Sequence, residues 1–300
     1  MAPSHSPTNA LAPTRRWAAL LALLGLAGCA NVDRGLPDDG REHTVSFLVS
    51  EIRVPEPSDG EHLRGFDLDG IDSSTGVGES CSAMAWDYSW DDEHGVDARL
   101  NEIASAYSLI SEGERSAGTE LNLAIDEERL LLVVQVRGVT HSGDGPVEVA
   151  LLAGAADSAL EHDAGGHPRP GQSLRATELA VVEGSIEGTR VHARFESLSI
   201  PVEGGVPLLP LTGLGPTELA FDVVRGASSP ELGDGVLGTS LSIEAMADDF
   251  AARSADPQAR ELMLDVLTNL ADMSPSADDP MMCSHVSLLL ELDAVPVTIE

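Results

Sequence analysis

The chain has 300 residues, 42% of them hydrophobic, with 17 basic residues against 50 acidic ones and a formal net charge of -33. Every basic residue is an arginine, which excludes chemistry that depends on lysine, such as a Schiff base or a P-loop. The acid excess excludes nucleic acid as a partner, because phosphate binding needs clustered positive charge. With five Phe, three Trp and two Tyr in the whole sequence, the core has to be built from Leu, Val, Ile and Ala.

The first 29 residues contain no acid. A polar start carrying Arg15 and Arg16 leads into the apolar run Trp17 to Leu26 and then Leu26-Ala27-Gly28-Cys29. Such a run is too short to cross a hydrocarbon core of ~30 Å, which takes ~20 residues. The segment resembles the bacterial lipoprotein signal with its L-A-G-C lipobox. That resemblance implies a signal peptide over residues 1–28, a diacylglycerol on Cys29 as the mature N-terminus, and the membrane as a partner through that lipid. The implied address is the cell envelope, at the outer membrane or the periplasmic face of the inner membrane.

With Cys29 assigned to lipid, Cys81 and Cys283 remain, and an even pair in an exported protein reads as a disulfide, with two separate buried thiols as the alternative. The processed chain carries 15 Arg against 50 acids, a net charge of 15 minus 50, or -35. Residues 29–43, with Gly35, Pro37, Asp38, Asp39 and Gly40, show no periodicity and are expected to form an acidic tether. Residues 44–300 then form a single β-rich domain.

Within that domain Val45, Phe47 and Val49 alternate with polar residues as in a strand. Asp97 is placed to cap a helix whose face carries Leu100, Ile103, Ala104 and Tyr107, with Gly113 at its end. Short helices are expected around Leu121 to Ile125 and over Leu241 to Arg253. A further helix is expected over 257–271, with Asp256 as cap, Pro257 at the first position, and Leu262, Val266, Leu267 and Leu270 as the buried stripe. Leu130 to Val136, Val147 to Leu152, Val191 to Phe195, Leu219 to Val224 and Val286 to Leu292 read as strands, the first two joined by the turn Ser142-Gly143-Asp144-Gly145. The expected fold is mainly β with a few helices, an antiparallel β-sandwich-like single domain. Gly165 to Gln172 is the expected long loop.

The chemically dense stretch is 51–102. It holds Gly65-Phe66-Asp67-Leu68-Asp69-Gly70 and, after Cys81, the run Asp87 to Asp97. Closely spaced carboxylates on glycine-rich backbone suit a hard cation, since calcium takes 6 to 8 oxygens in irregular geometry. Asp67, Asp69, Asp87, Asp91 and Asp97 are therefore candidate calcium ligands, with a solvated acidic surface as the alternative. The spacing is not that of an EF-hand: counted from Asp91, the glycine required at position 6 is Val96. Trp86, Tyr88 and Trp90 alternate, so a strand would send all three rings to one face, either as a platform for a carbohydrate or packed beneath the loop as core.

The G-F-D-L-D-G run, the following cysteine, the aspartate-rich stretch ending in Gly95-Val96-Asp97, and the strand from Cys283 to Pro296 resemble a group of uncharacterised lipoproteins from myxobacteria-like organisms. The resemblance implies an architecture and an address, and no activity. This chain departs from the group at Ser89-Trp90-Asp91-Asp92, where the group has S-P-D-G, and at Ala98, where it has asparagine.

No G-x-S-x-G, H-E-x-x-H or C-x-x-C occurs. His162 and His167, beside Asp163, are five apart and miss the helical repeat of a zinc pair, so they read as loop histidines. The leading expectation is a lipid-anchored envelope protein, a binding or structural module stabilised by calcium, with a carbohydrate or protein as ligand and no catalytic residues. The alternative is a secreted, glycosidase-like hydrolase using a carboxylate pair, marked by a cleft and one carboxylate of raised pKa.

Overall fold

A computed structural model of the protein describes residues 33–57, 63–71, 81, 87–90, 93–102, 115–156, 160–207, 209–275 and 282–300. Residues 1–32, with the expected signal segment and Cys29, lie outside them, as do Trp86 and Asp91. In chain order the elements are β1 (His43–Arg53), β2 (Tyr88–Trp90), β3 (Glu93–Val96), α1 (Ala117–Asp126), β4 (Leu132–Val139), β5 (Gly145–Gly154), β6 (Gln172–Leu174), β7 (Ala176–Glu187), β8 (Arg190–Phe195), β9 (Thr217–Arg225), β10 (Pro230–Ser242), α2 (Ile243–Arg253), α3 (Ala259–Thr268), β11 (Met273–Pro275) and β12 (Cys283–Ile299).

Eight of the strands form one antiparallel sheet in the order β1-β4-β5-β7-β8-β9-β10-β12. The sheet closes because β12 returns to β1, Phe47 lying opposite Pro296 and Arg53 opposite Glu291. This corrects the expected sandwich. Two stacked sheets would keep open edges, whereas here the first and last strands satisfy each other's backbone groups and make a barrel. β11 and β6 add to the two ends of β12, β6 in parallel.

Alternation along each strand sends Phe47, Val49, Val134, Val149, Phe221 and Leu290 to one cluster inside the barrel. Phe47 and Phe221 meet edge to face there, with ring centroids 6.3 Å apart. The opposite faces are not all wet. Leu48, Val133, Ala150 and Val297 form an outer cluster with Leu160 and Leu174 from the 155–175 connection. A second outer cluster sets Ala220, Val236 and Leu289 of β9, β10 and β12 against Leu63, Phe66, Leu68, Tyr88 and Val96. These two covers explain why strands of an antiparallel barrel read as continuous apolar runs: both faces are buried. Gly238 shows how close the second cover lies, since a Cβ there would come 2.7 Å from the Phe66 ring.

The turns joining β4 to β5, β7 to β8 and β9 to β10 are tight and lie at one end of the barrel. The longer connections leave from the other end. There α1 starts at Ser116, whose hydroxyl accepts from the Thr119 N–H, and buries Leu121, Ala124 and Ile125. The excursion between β8 and β9 is drawn into the core by Leu198, Ile200, Val206, Leu209, Leu211 and Leu214. Ser242 caps α2, and α2 packs on α3.

Three local expectations are corrected. In α3 the buried residues are Ala259, Met263 and Leu267, while Leu262 and Val266 are 57% and 53% exposed. The buried face runs through Ala259, Met263 and Leu267, four residues apart, so of the expected stripe Leu267 is fully buried and Leu270 partly so. Asp97 caps no helix: residues 99–102 make a single 3₁₀ turn, and the Asp97 carboxylate is used elsewhere. The remainder of that expected helix, 103–113, lies outside the described residues. Finally, the expected tether is already docked at its C-terminal part. Arg34 is fully buried and donates to the carbonyls of Gly188, Thr140 and Gly143 and to the Asp144 carboxylate, and Leu36 is buried beside it.

Candidate acidic site

The covering segment holds the site. Two residues of the G-F-D-L-D-G run are anchors, Phe66 and Leu68, which face the barrel wall. Alternation turns Asp67 and Asp69 away from them. The Asp67 carboxylate accepts from the N–H groups of Gly70 at 2.6 Å and Ile71 at 3.0 Å, and Asp69 accepts from Ile71 at 2.8 Å. Gly70, at φ 80°, takes the left-handed backbone that this reversal needs.

Asp97 arrives from the end of β3. Its N–H donates to the Phe66 carbonyl at 2.9 Å, and its carboxylate accepts from the N–H of Leu68 at 2.6 Å. Asp67, Asp69 and Asp97 each then bring a carboxylate oxygen within 4.8 Å of the others, the only such group of metal-ligating side chains among the described residues. Asp97 is 3% exposed and Asp87 7%. No arginine pairs with Asp67, Asp69 or Asp97 among the described residues.

The carboxyls report this crowding. Burial, reinforced by the charges of Asp69, Asp272 and Asp87, pushes Asp97 up to about 9. Burial also raises Asp69 to about 6, with Asp67 and Asp87 adding repulsion. Asp272 is raised to about 7 by burial, against the pull of its hydrogen bonds from Ser287.

Asp272 and Ser287 were not legible as part of this neighbourhood. Asp272 accepts from the Ser287 N–H at 2.9 Å and from its hydroxyl, and that hydroxyl in turn accepts from the Arg99 N–H at 2.7 Å. Asn101 fixes the same segment by exchanging hydrogen bonds with the backbone of Leu289 at 2.8 and 2.9 Å. The signal available was weak: one aspartate between Ala271 and Met273, and one serine inside an apolar strand.

The remaining expected site residues divide. Asp87 lies close enough to raise both Asp69 and Asp97, while Asp91 is outside the described residues. The platform reading of the aromatic row is corrected at Tyr88, which is 4% exposed, packs against the barrel wall and donates its hydroxyl to Glu102. It is core, since that wall offers apolar area and Glu102 satisfies the phenol. Trp86 and the side chain of Trp90 fall outside the description. His162 and His167 belong to no cluster of metal-ligating side chains among the described residues: His167 faces the Ser50 carbonyl at 3.3 Å, and His162 forms a bridge with Pro168.

Cys81 and Cys283 form the disulfide, Cα to Cα 5.2 Å, tying the covering segment to the start of β12 beside the acidic site. No family model matches the chain, and no match is found among curated proteins or solved structures.

Proposed function

We propose that this chain is an exported, lipid-anchored barrel of the cell envelope that holds a calcium ion at Asp67, Asp69 and Asp97 and acts there as a binding or structural module. The observation that carries the calcium reading is the convergence of three carboxylates, one of them buried, none of which is ion-paired to an arginine among the described residues. Three carboxylates confined in this way repel one another, and a divalent ion turns that repulsion into attraction. The anchor reading is supported by the L-A-G-C run ending at Cys29, and export by the disulfide, which needs an oxidising compartment.

A hydrolase using a carboxylate pair stands second. Burial does raise one carboxyl, as a general acid requires. Yet the two described grooves are lined by residues of β1 and α1 and of β4, β5 and β7, and neither borders Asp69, Asp97 or Asp272.

Calcium added to the chelator-treated full chain, purified from membranes in detergent, is expected to give a saturable heat and to raise the melting temperature. Asp67→Asn and Asp69→Asn should each weaken binding about tenfold or more, because each removes a full ligand charge. Heat of equal size in both variants would move the ion elsewhere, and no heat in the parent would end the calcium reading. For the anchor, Cys29→Ala is expected to release the protein from the membrane fraction. Continued co-sedimentation of that variant would overturn the lipid anchor without touching the calcium site.

A further inference from the structure

The barrel wall has one thin seam. β7 pairs with β5 along its whole length, from Ala176 opposite Gly154 to Ile186 opposite Gly145. On its other side it pairs with β8 only through Ser185, Ile186 and Glu187. At Gly184 the two strands still touch, since a Cβ there would lie 2.5 Å from the His192 carbonyl oxygen. Beyond it, from Gly184 back to Ala176, no strand among the described residues pairs with the outward edge of β7.

That edge has a defined chemistry. Leu179, Ala180, Val181 and Val182 are half-buried, and Glu178 and Glu183 on either side of them are exposed. A groove of about 600 Å3 lies on the paired side of the strip, over β4, β5 and β7, lined by Arg137, Val147, Glu148, Val181 and Glu183 together with Glu42, and it leaves the unpaired edge itself uncovered. Arg137 is already engaged by Glu148 and by Glu178, the latter at 3.2 Å. Glu183 has no ion pair among the described residues, so the strip keeps an acid excess.

An unpaired edge is a template for strand addition. A second copy of this chain is a poor occupant. Antiparallel pairing centred between Ala180 and Val181 would set Glu178 opposite Glu183 of the copy, and like charges directly opposite destabilise a strand pair. The same carboxylates fit a cationic strand.

We propose that the edge of β7 from Thr177 to Glu183 is a docking strip for an extended basic segment of another protein. The segment adds as a further strand, its arginine or lysine side chains meeting Glu178 and Glu183 on the outer face and its apolar side chains, on the other face, lying beside Ala180 and Val182. This interaction is independent of the calcium site and of the lipid.

The test uses the full chain and two synthetic octapeptides of equal charge, one alternating arginine with valine and one alternating arginine with proline. Proline cannot donate to the ladder. The valine peptide is expected to bind saturably and to slow amide exchange in residues 177–184. The proline peptide, and the valine peptide against the Glu178→Gln, Glu183→Gln double variant, should each bind at least tenfold more weakly. Absence of binding, equal binding of the two peptides, or protection appearing elsewhere on the chain would each overturn the proposal.

Discussion

Replacing Cys81 and Cys283 together by alanine is expected to lower the unfolding free energy by roughly 4 to 5 kcal/mol. The bridge closes a loop of 202 residues, which takes in six of the eight barrel strands and all three helices. Loop-closure entropy rises with the logarithm of loop length, and for a loop this long it reaches ~5 kcal/mol in the unfolded chain. Both sulfurs are buried, at 8% and 6% exposure, so the variant also leaves a small void. Urea denaturation of the oxidised parent and the double variant checks this. A difference under about 2 kcal/mol would mean that the oxidised unfolded chain is already compact and the bridge constrains little. The same variant should lose calcium affinity, because Cys81 is the covalent hold on the segment that carries Asp67 and Asp69.

Stability of the calcium-free domain is expected to fall as pH rises from about 4 to 9, the reverse of ordinary acid denaturation. The carboxyls of Asp69, Asp272 and Asp97 have folded values raised to about 6, 7 and 9, against 3.8 when unfolded. Between those limits the native state holds protons that the unfolded state has lost, so each pH unit removes stability, by up to about 1.4 kcal/mol per group. The loss from Asp69 ends near pH 6 and that from Asp272 near 7, and Asp97 continues to 9. Below pH 4 all three are protonated in both states and the effect vanishes. Asp97→Asn should flatten the upper part of the curve, since its amide oxygen still accepts from the Leu68 N–H. Calcium should compete with these protons, so its affinity rises by up to tenfold per pH unit from 7 to 9 as Asp97 ionises. Melting temperatures in chelator at pH 5, 7 and 9 decide the matter. A flat or rising series would mean that Asp97 is ionised without a cation.

How much of this could be read from the residues depended on how local the cause was. β1, β4, β5, β8 and β9 announce themselves because each carries apolar residues dense enough to fill the barrel or its covers. β10 stays hidden, since Gly233, Gly235 and Gly238 dilute its pattern, and the last of these is there to admit the Phe66 ring. Closure into a barrel is a property of the pairing between residues 43–53 and 283–299, which no window along the chain contains. The acidic site was half legible for the same reason. Asp67, Asp69 and Asp97 share turns rich in glycine, whereas Asp272 reaches them only through the fold. Tyr88 stayed open between platform and core because periodicity gives the common face and not whether that face meets water or wall.

The buried guanidinium of Arg34 gives the barrel a polarity. It stitches the incoming chain to the turns at residues 140–144 and at Gly188, and Asp33 pairs with Arg225 at the end of β9. The polypeptide therefore enters at the pole made of short hairpins. The helices and the disulfide lie at the opposite pole, so the chain is pinned at one end of the barrel and cross-linked at the other.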